Sequence, residues 1–114
     1  VRLPRQIPSR VAMEMALTGD FMDADRALSL GLINQVAPAG EALAQAKVLA
    51  AKIAENGPLA VKRSKQVIKE SIDWSQDETF EKQQEIVNPV FSSEDAIEGA
   101  TAFAEKRKPN WKGR

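Results

Sequence analysis

The sequence predicts a mainly α fold: about six helices with at most a short β piece. Two observations predict it. Apolar residues recur at i, i+3 and i+4 along most of the chain, and Gly, Pro, Ser or Asp stands at the breaks between these runs. Only Leu32–Val36 is short and β-branched enough to read as extended.

Ser9 is placed to cap a first helix over 10–18, with Pro8 stiffening its entry and Gly19 ending it. Val11, Ala12, Met15 and Ala16 would form its inner face. Asp23 is a good cap for a short helix over 24–30, and Gly31 supplies a left-handed exit at little cost. Leu32–Val36 would follow as the extended piece, with Phe21-Met22 its only candidate partner. Pro38-Ala39-Gly40 makes a turn and marks a boundary between residues 1–40 and 41–114.

Residues 41–55 are alanine-rich and helical by propensity, with Leu43, Ala46, Ala50 and Ile53 as the buried side. Asn56-Gly57-Pro58 stops that helix and starts the next, over 59–73, whose stripe is Ala60, Ser64, Val67, Ile68 and Ile72. A helix over 77–91 carries Phe80, Gln84, Val87 and Phe91 on one line, with Pro89 set to kink or end it. Ser92 and Ser93 cap a last helix to Lys106, with Ala96, Ile97, Ala100, Phe103 and Ala104 as its apolar face. Pro109 would stop it and leave the final residues loose.

Composition excludes several functions. Sixteen basic and sixteen acidic side chains cancel, so no strong field draws in nucleic acid. The run Lys62, Arg63, Lys65, Lys69 has no interleaved aromatic and reads as a solvated helix face. No apolar run approaches the roughly 18 residues a membrane span needs. His, Cys and Tyr are absent, so any proton transfer would fall to a carboxylate or a lysine. No Gly-rich phosphate loop, metal-ligand cluster or nucleophile–base pair is present, so neither a metal nor a catalytic residue is assigned. Glu14, beside Met13 and Met15, reads as a solvated helix residue. The cluster Lys106, Arg107, Lys108 and Lys112 has two readings: cations facing the negative end of the last helix dipole, or a site for an anion.

Four motifs carry a resemblance. They are Arg2-Leu3-Pro4-Arg5-x-Ile7; Leu17-Thr18-Gly19 followed by Ala24-x-x-Ala27-x-x-x-Gly31-Leu32-Ile33-x-x-Val36; Asn56-Gly57-Pro58-Leu59-Ala60-Val61-x-x-Ser64-Lys65; and Asp95-x-x-Glu98-Gly99-x-x-Ala102-Phe103-x-Glu105-Lys106-Arg107. In this order they resemble the C-terminal segment of the enoyl-CoA hydratase/isomerase (crotonase) family, with Pro8 where glycine is commoner. The opening Val-Arg-Leu-Pro-Arg, without Met or cap, fits a chain that continues a larger body.

The resemblance implies a parent that hydrates trans-2-enoyl-CoA thioesters in fatty-acid metabolism. Its oxyanion-hole donors and catalytic glutamates would lie ahead of the Arg-Leu-Pro-Arg motif, leaving this segment inactive alone. Residues 1–40 would continue the missing N-terminal core. Residues 41–114 would form the helical oligomerisation region of a trimer or hexamer. The resemblance further implies that the last helices form a lid over the adenine and 3′-phosphate end of coenzyme A bound to a neighbouring subunit. Lys106 would meet phosphate, and either Phe103 or Val87, at a position often aromatic in the family, would sit near the base. It implies acyl-CoA as ligand, no required cofactor, and a cytoplasmic location, or the mitochondrial matrix in a eukaryote. The rival reading from the residues themselves is a free-standing helical interaction module docking through Phe80, Val87 and Phe91.

Overall fold

A computed structural model describes residues 1–114. It contains six α-helices: α1 (Ser9–Thr18), α2 (Ala24–Ser29), α3 (Ala42–Ala54), α4 (Pro58–Glu70), α5 (Thr79–Phe91) and α6 (Glu94–Ala104). Single 3₁₀ turns occupy Leu3–Arg5 and Ser71–Asp73. The chain divides into two units, Val1–Lys47 and Val48–Arg114, and the division falls within α3.

In the first unit the 3₁₀ turn packs on α1, with Ile7 and Ala12 buried. The cap of α1 is Pro8 rather than Ser9, which is the first helical residue. Proline's fixed φ suits the extended flank, and its carbonyl accepts from Val11 and Ala12 at 3.0 and 3.2 Å. α2 starts as expected: Asp23 Oδ1 accepts from the Arg26 N–H at 2.7 Å. It ends with Gly31 at a φ of 73°, Gly31 N–H donating to Leu28 and Leu32 N–H to Ala27. These paired bonds, with the left-handed glycine, form a Schellman cap. The expected β piece does not form. Leu32–Val36 bends through turns and coil, and Phe21 is fully exposed. A strand exists only through a ladder partner, and Phe21-Met22 does not supply one.

In the second unit α4 packs along α5, and α5 against α6. The predicted apolar stripes are only partly covered: Ala60, Val67, Val87 and Ala96 are half-buried as expected, and the other members point outward. Every residue of α3 is exposed, including Leu43, Ala46, Ala50 and Ile53. On α4, Ile68 is exposed, as is Ile72 just beyond it, and on α5 so are Phe80, Gln84 and Phe91. On α5 Val87 is half-buried as expected, and the half-buried face runs from it to Ile86 and Val90, centred about a quarter turn from the predicted line at 100° per residue. On α6, Ile97, Ala100, Phe103 and Ala104 face solvent, whereas Asp95 and Ala102 are buried. Periodicity reports which side of a helix is apolar, not whether this chain covers it. α5 runs two residues past Pro89 before ending at Phe91. The residues after Pro109 are not loose, because they dock along the buried side of α6.

Candidate functional site

The C-terminal clasp begins at the start of α6. Ser93 caps it, its Oγ accepting from the Ala96 N–H at 3.1 Å and donating to the Val90 carbonyl at 2.6 Å. Asp95, only 5% exposed, lies in the first helical turn. Its Oδ1 accepts from the Lys112 N–H at 2.6 Å and its Oδ2 from the Gly113 N–H at 2.9 Å. Its own N–H donates to the Arg114 carbonyl at 3.1 Å. One turn on, Glu98 grips the returning chain. Arg107 donates to both its oxygens at 2.7 and 3.0 Å, and the Asn110 N–H donates to Oε1 at 2.7 Å.

Between these anchors Trp111 lies against two glycines. A Cβ on Gly99 would sit 3.1 Å from the indole, and one on Gly57 at 3.6 Å. The indole N–H donates to the Glu55 carbonyl at 2.8 Å, satisfying one of the orphan carbonyls beyond α3. Trp111 also lines an open groove of about 530 Å³, together with Ile53, Ala54, Pro58, Val61, Lys62 and Lys65. Sequence reasoning missed this clasp. The available signals were a glycine inside a helix and a tryptophan in a polar tail.

The far end of α6 carries the basic tip. The Lys106 N–H donates to Phe103 and the Arg107 N–H to the buried Ala102, which is again a Schellman cap. Its left-handed position is filled by Lys106 at a φ of 53°, the only non-glycine residue with positive φ. That conformation costs an ordinary residue about 1–2 kcal/mol. Of the four basic residues, Arg107 is paired with Glu98 and Glu105, and Lys112 with Glu94. Lys106 and Lys108 form no ion pair. Phe103 shares the helix end and is 87% exposed, whereas Val87 is half-buried on α5. Glu14 is exposed and held by Arg26 at 3.1 Å, as expected of a solvated helix residue. No group of His, Cys, Asp or Glu is placed to hold a metal, and no helix is long and apolar enough to cross a membrane.

Arg107 and the Asn110 N–H stabilise the charged Glu98 carboxylate and lower its pKa from 4.5 to about 2. A depressed carboxylate stabilises the fold at pH above its unfolded value, and the contribution is lost as pH falls through the folded one. The stability difference between wild type and Glu98→Gln is therefore expected to shrink to nothing between pH 4.5 and about 2. Urea unfolding followed by tryptophan fluorescence reads it; a difference constant across that window would contradict the clamp.

A family model described as enoyl-CoA hydratase/isomerase matches residues 1–114, the whole chain. The chain belongs to the enoyl-CoA hydratase/isomerase family. It is 46% identical over all its 114 residues to the enoyl-CoA hydratase EchA19 of Mycobacterium tuberculosis, covering 43% of that protein. It is 41% identical to the carnitinyl-CoA dehydratase of Proteus mirabilis, with 100% of this chain and 45% of the relative aligned. It superposes on the crystal structure of an enoyl-CoA hydratase from M. tuberculosis H37Rv with a TM-score of 0.96 and 55% identity, covering 99% of this chain and 45% of that one. The chain thus spans less than half the length of these family members.

Proposed function

We propose that the chain is the C-terminal helical part of a hydratase of this family, and that the whole protein adds water across the 2,3 double bond of an enoyl-CoA thioester. The outward-facing apolar sides of α3 to α6 carry the reading. Phe80, Phe91, Ile97 and Phe103 are each more than two-thirds exposed, a pattern suited to helices that close on further protein. In this reading residues 1–40 continue a catalytic core and residues 41–114 make subunit contacts in a trimer or hexamer. The Lys106 ammonium meets a phosphate of a neighbouring subunit's coenzyme A, and either Phe103 or Val87 on the preceding helix lies against its base. The location is cytoplasmic, or the mitochondrial matrix in a eukaryote.

The segment's own chemistry is that of a binding element. It has no His, Cys or Tyr, and its carboxylates Glu14 and Glu98 are held in ion pairs. The isolated 114-residue chain is expected to show no hydration of crotonyl-CoA, measured by loss of the enoyl thioester absorbance, while the full-length enzyme turns over. Turnover by the isolated chain near that of the full enzyme would overturn the reading. Light scattering on the same sample separates the rival interaction module, which predicts a well-folded monomer, from an excised helical face, which predicts association.

A further inference from the structure

The tip residue proposed to meet phosphate occupies a conformation that lysine disfavours, so something must hold it there. The helix cap supplies only two backbone bonds around it. The rest comes from side chains, chiefly one carboxylate. Glu98 lies two turns back on α6, and its side chain is 23% exposed. It takes a two-pronged grip on Arg107, the residue after Lys106, and also binds the Asn110 N–H. Glu105, the residue before Lys106, binds the same guanidinium through its carboxylate. Lys106 therefore sits between two residues whose side chains are tied to each other, Glu105 and Arg107, while its own ammonium stays unpaired.

We infer that Glu98 is a positioning residue for Lys106: by gripping Arg107 and the Asn110 amide it fixes the chain reversal that presents the Lys106 ammonium to its anion. The inference rests on the assignment of Lys106 to a coenzyme phosphate. A point charge on a long flexible stem loses freedom when it binds, and a backbone held rigid beforehand lowers that cost. Arg107, neutralised by its two carboxylates, supports the tip, and Lys106, like Lys108, remains a free cation.

The test uses full-length enzyme and two substrates, crotonyl-CoA and crotonyl-pantetheine, the second lacking the nucleotide end. The readout is the ratio of their kcat/KM values, which a loss of folded protein leaves unchanged because it scales both alike. Lys106→Ala should lower that ratio roughly tenfold, the scale of one charge-assisted contact. Glu98→Gln should lower it several-fold, and the double variant should fall no further than Lys106→Ala alone. Arg107→Lys, which keeps the charge but breaks the fork, should behave like Glu98→Gln and serves if that variant does not fold. If Lys106→Ala lowers the ratio while Glu98→Gln and Arg107→Lys leave it at the wild-type value, the positioning role is overturned and the phosphate assignment stands. An unchanged ratio in Lys106→Ala overturns both.

Discussion

Replacing Trp111 with alanine is expected to lower the stability of the protein by about 2–4 kcal/mol, toward the lower part of the range for truncating a packed aromatic because the ring is half-buried. Two losses add. The indole leaves the faces of Gly57 and Gly99, and the Glu55 carbonyl loses its donor. Urea unfolding followed by far-ultraviolet circular dichroism measures the change; a shift below about 1 kcal/mol would mean the tail is not docked. A coupled test isolates the packing. Alanine at residue 99 gains roughly 1 kcal/mol of helix propensity over glycine but meets the indole at 3.1 Å. Gly99→Ala should thus be more favourable by about 1 kcal/mol in the Trp111→Ala background than in wild type. Equal effects in both backgrounds would place the ring elsewhere.

The second large effect is at Asp95. Its two oxygens each accept a backbone N–H of the tail, and the residue is almost fully buried. Asp95→Asn is expected to cost about 2–4 kcal/mol, nearly as much as Asp95→Ala, because hydrogen bonds to a charged group contribute about 1.5–3 kcal/mol each. The amide can accept only one of the two N–H groups and must turn its own donors toward the other. Comparing the two variants by the same unfolding measurement tests this. An asparagine variant as stable as wild type would show that the carboxylate does not hold the tail.

Local signals were legible in the sequence where they are physically local. Asp23 and Ser93 cap as their residue types require, and Gly31 ends α2 in the left-handed conformation. The six helices follow from propensity and breakers, with boundaries off by one to three residues. The orientation of the helices was only partly legible. Val87 and Ala96 are half-buried as expected, yet the rest of the Phe80–Phe91 line and of the Ile97–Phe103 face is exposed, and the covered sides run through Ile86 and Val90 on α5 and Asp95 and Ala102 on α6. A helix side can be buried through carboxylates when backbone amides satisfy them, which periodicity of apolar residues does not register. The β piece failed for a related reason: Leu32–Val36 has suitable side chains, but a strand is a property of a pair. At the basic tip the sequence located the charge, while only the structure separates the paired Arg107 and Lys112 from Lys106 and Lys108.

The bond from the Trp111 indole to the Glu55 carbonyl joins residues 56 positions apart, so it also sets an order of events during synthesis. At roughly 5–20 residues per second a ribosome takes on the order of 3–11 s to travel that distance, whereas a helix forms in about a microsecond. For those seconds the α3–α4 corner waits, its carbonyl wet and its glycine bare, until the tryptophan emerges. A nascent chain arrested before that point would leave this corner uncovered.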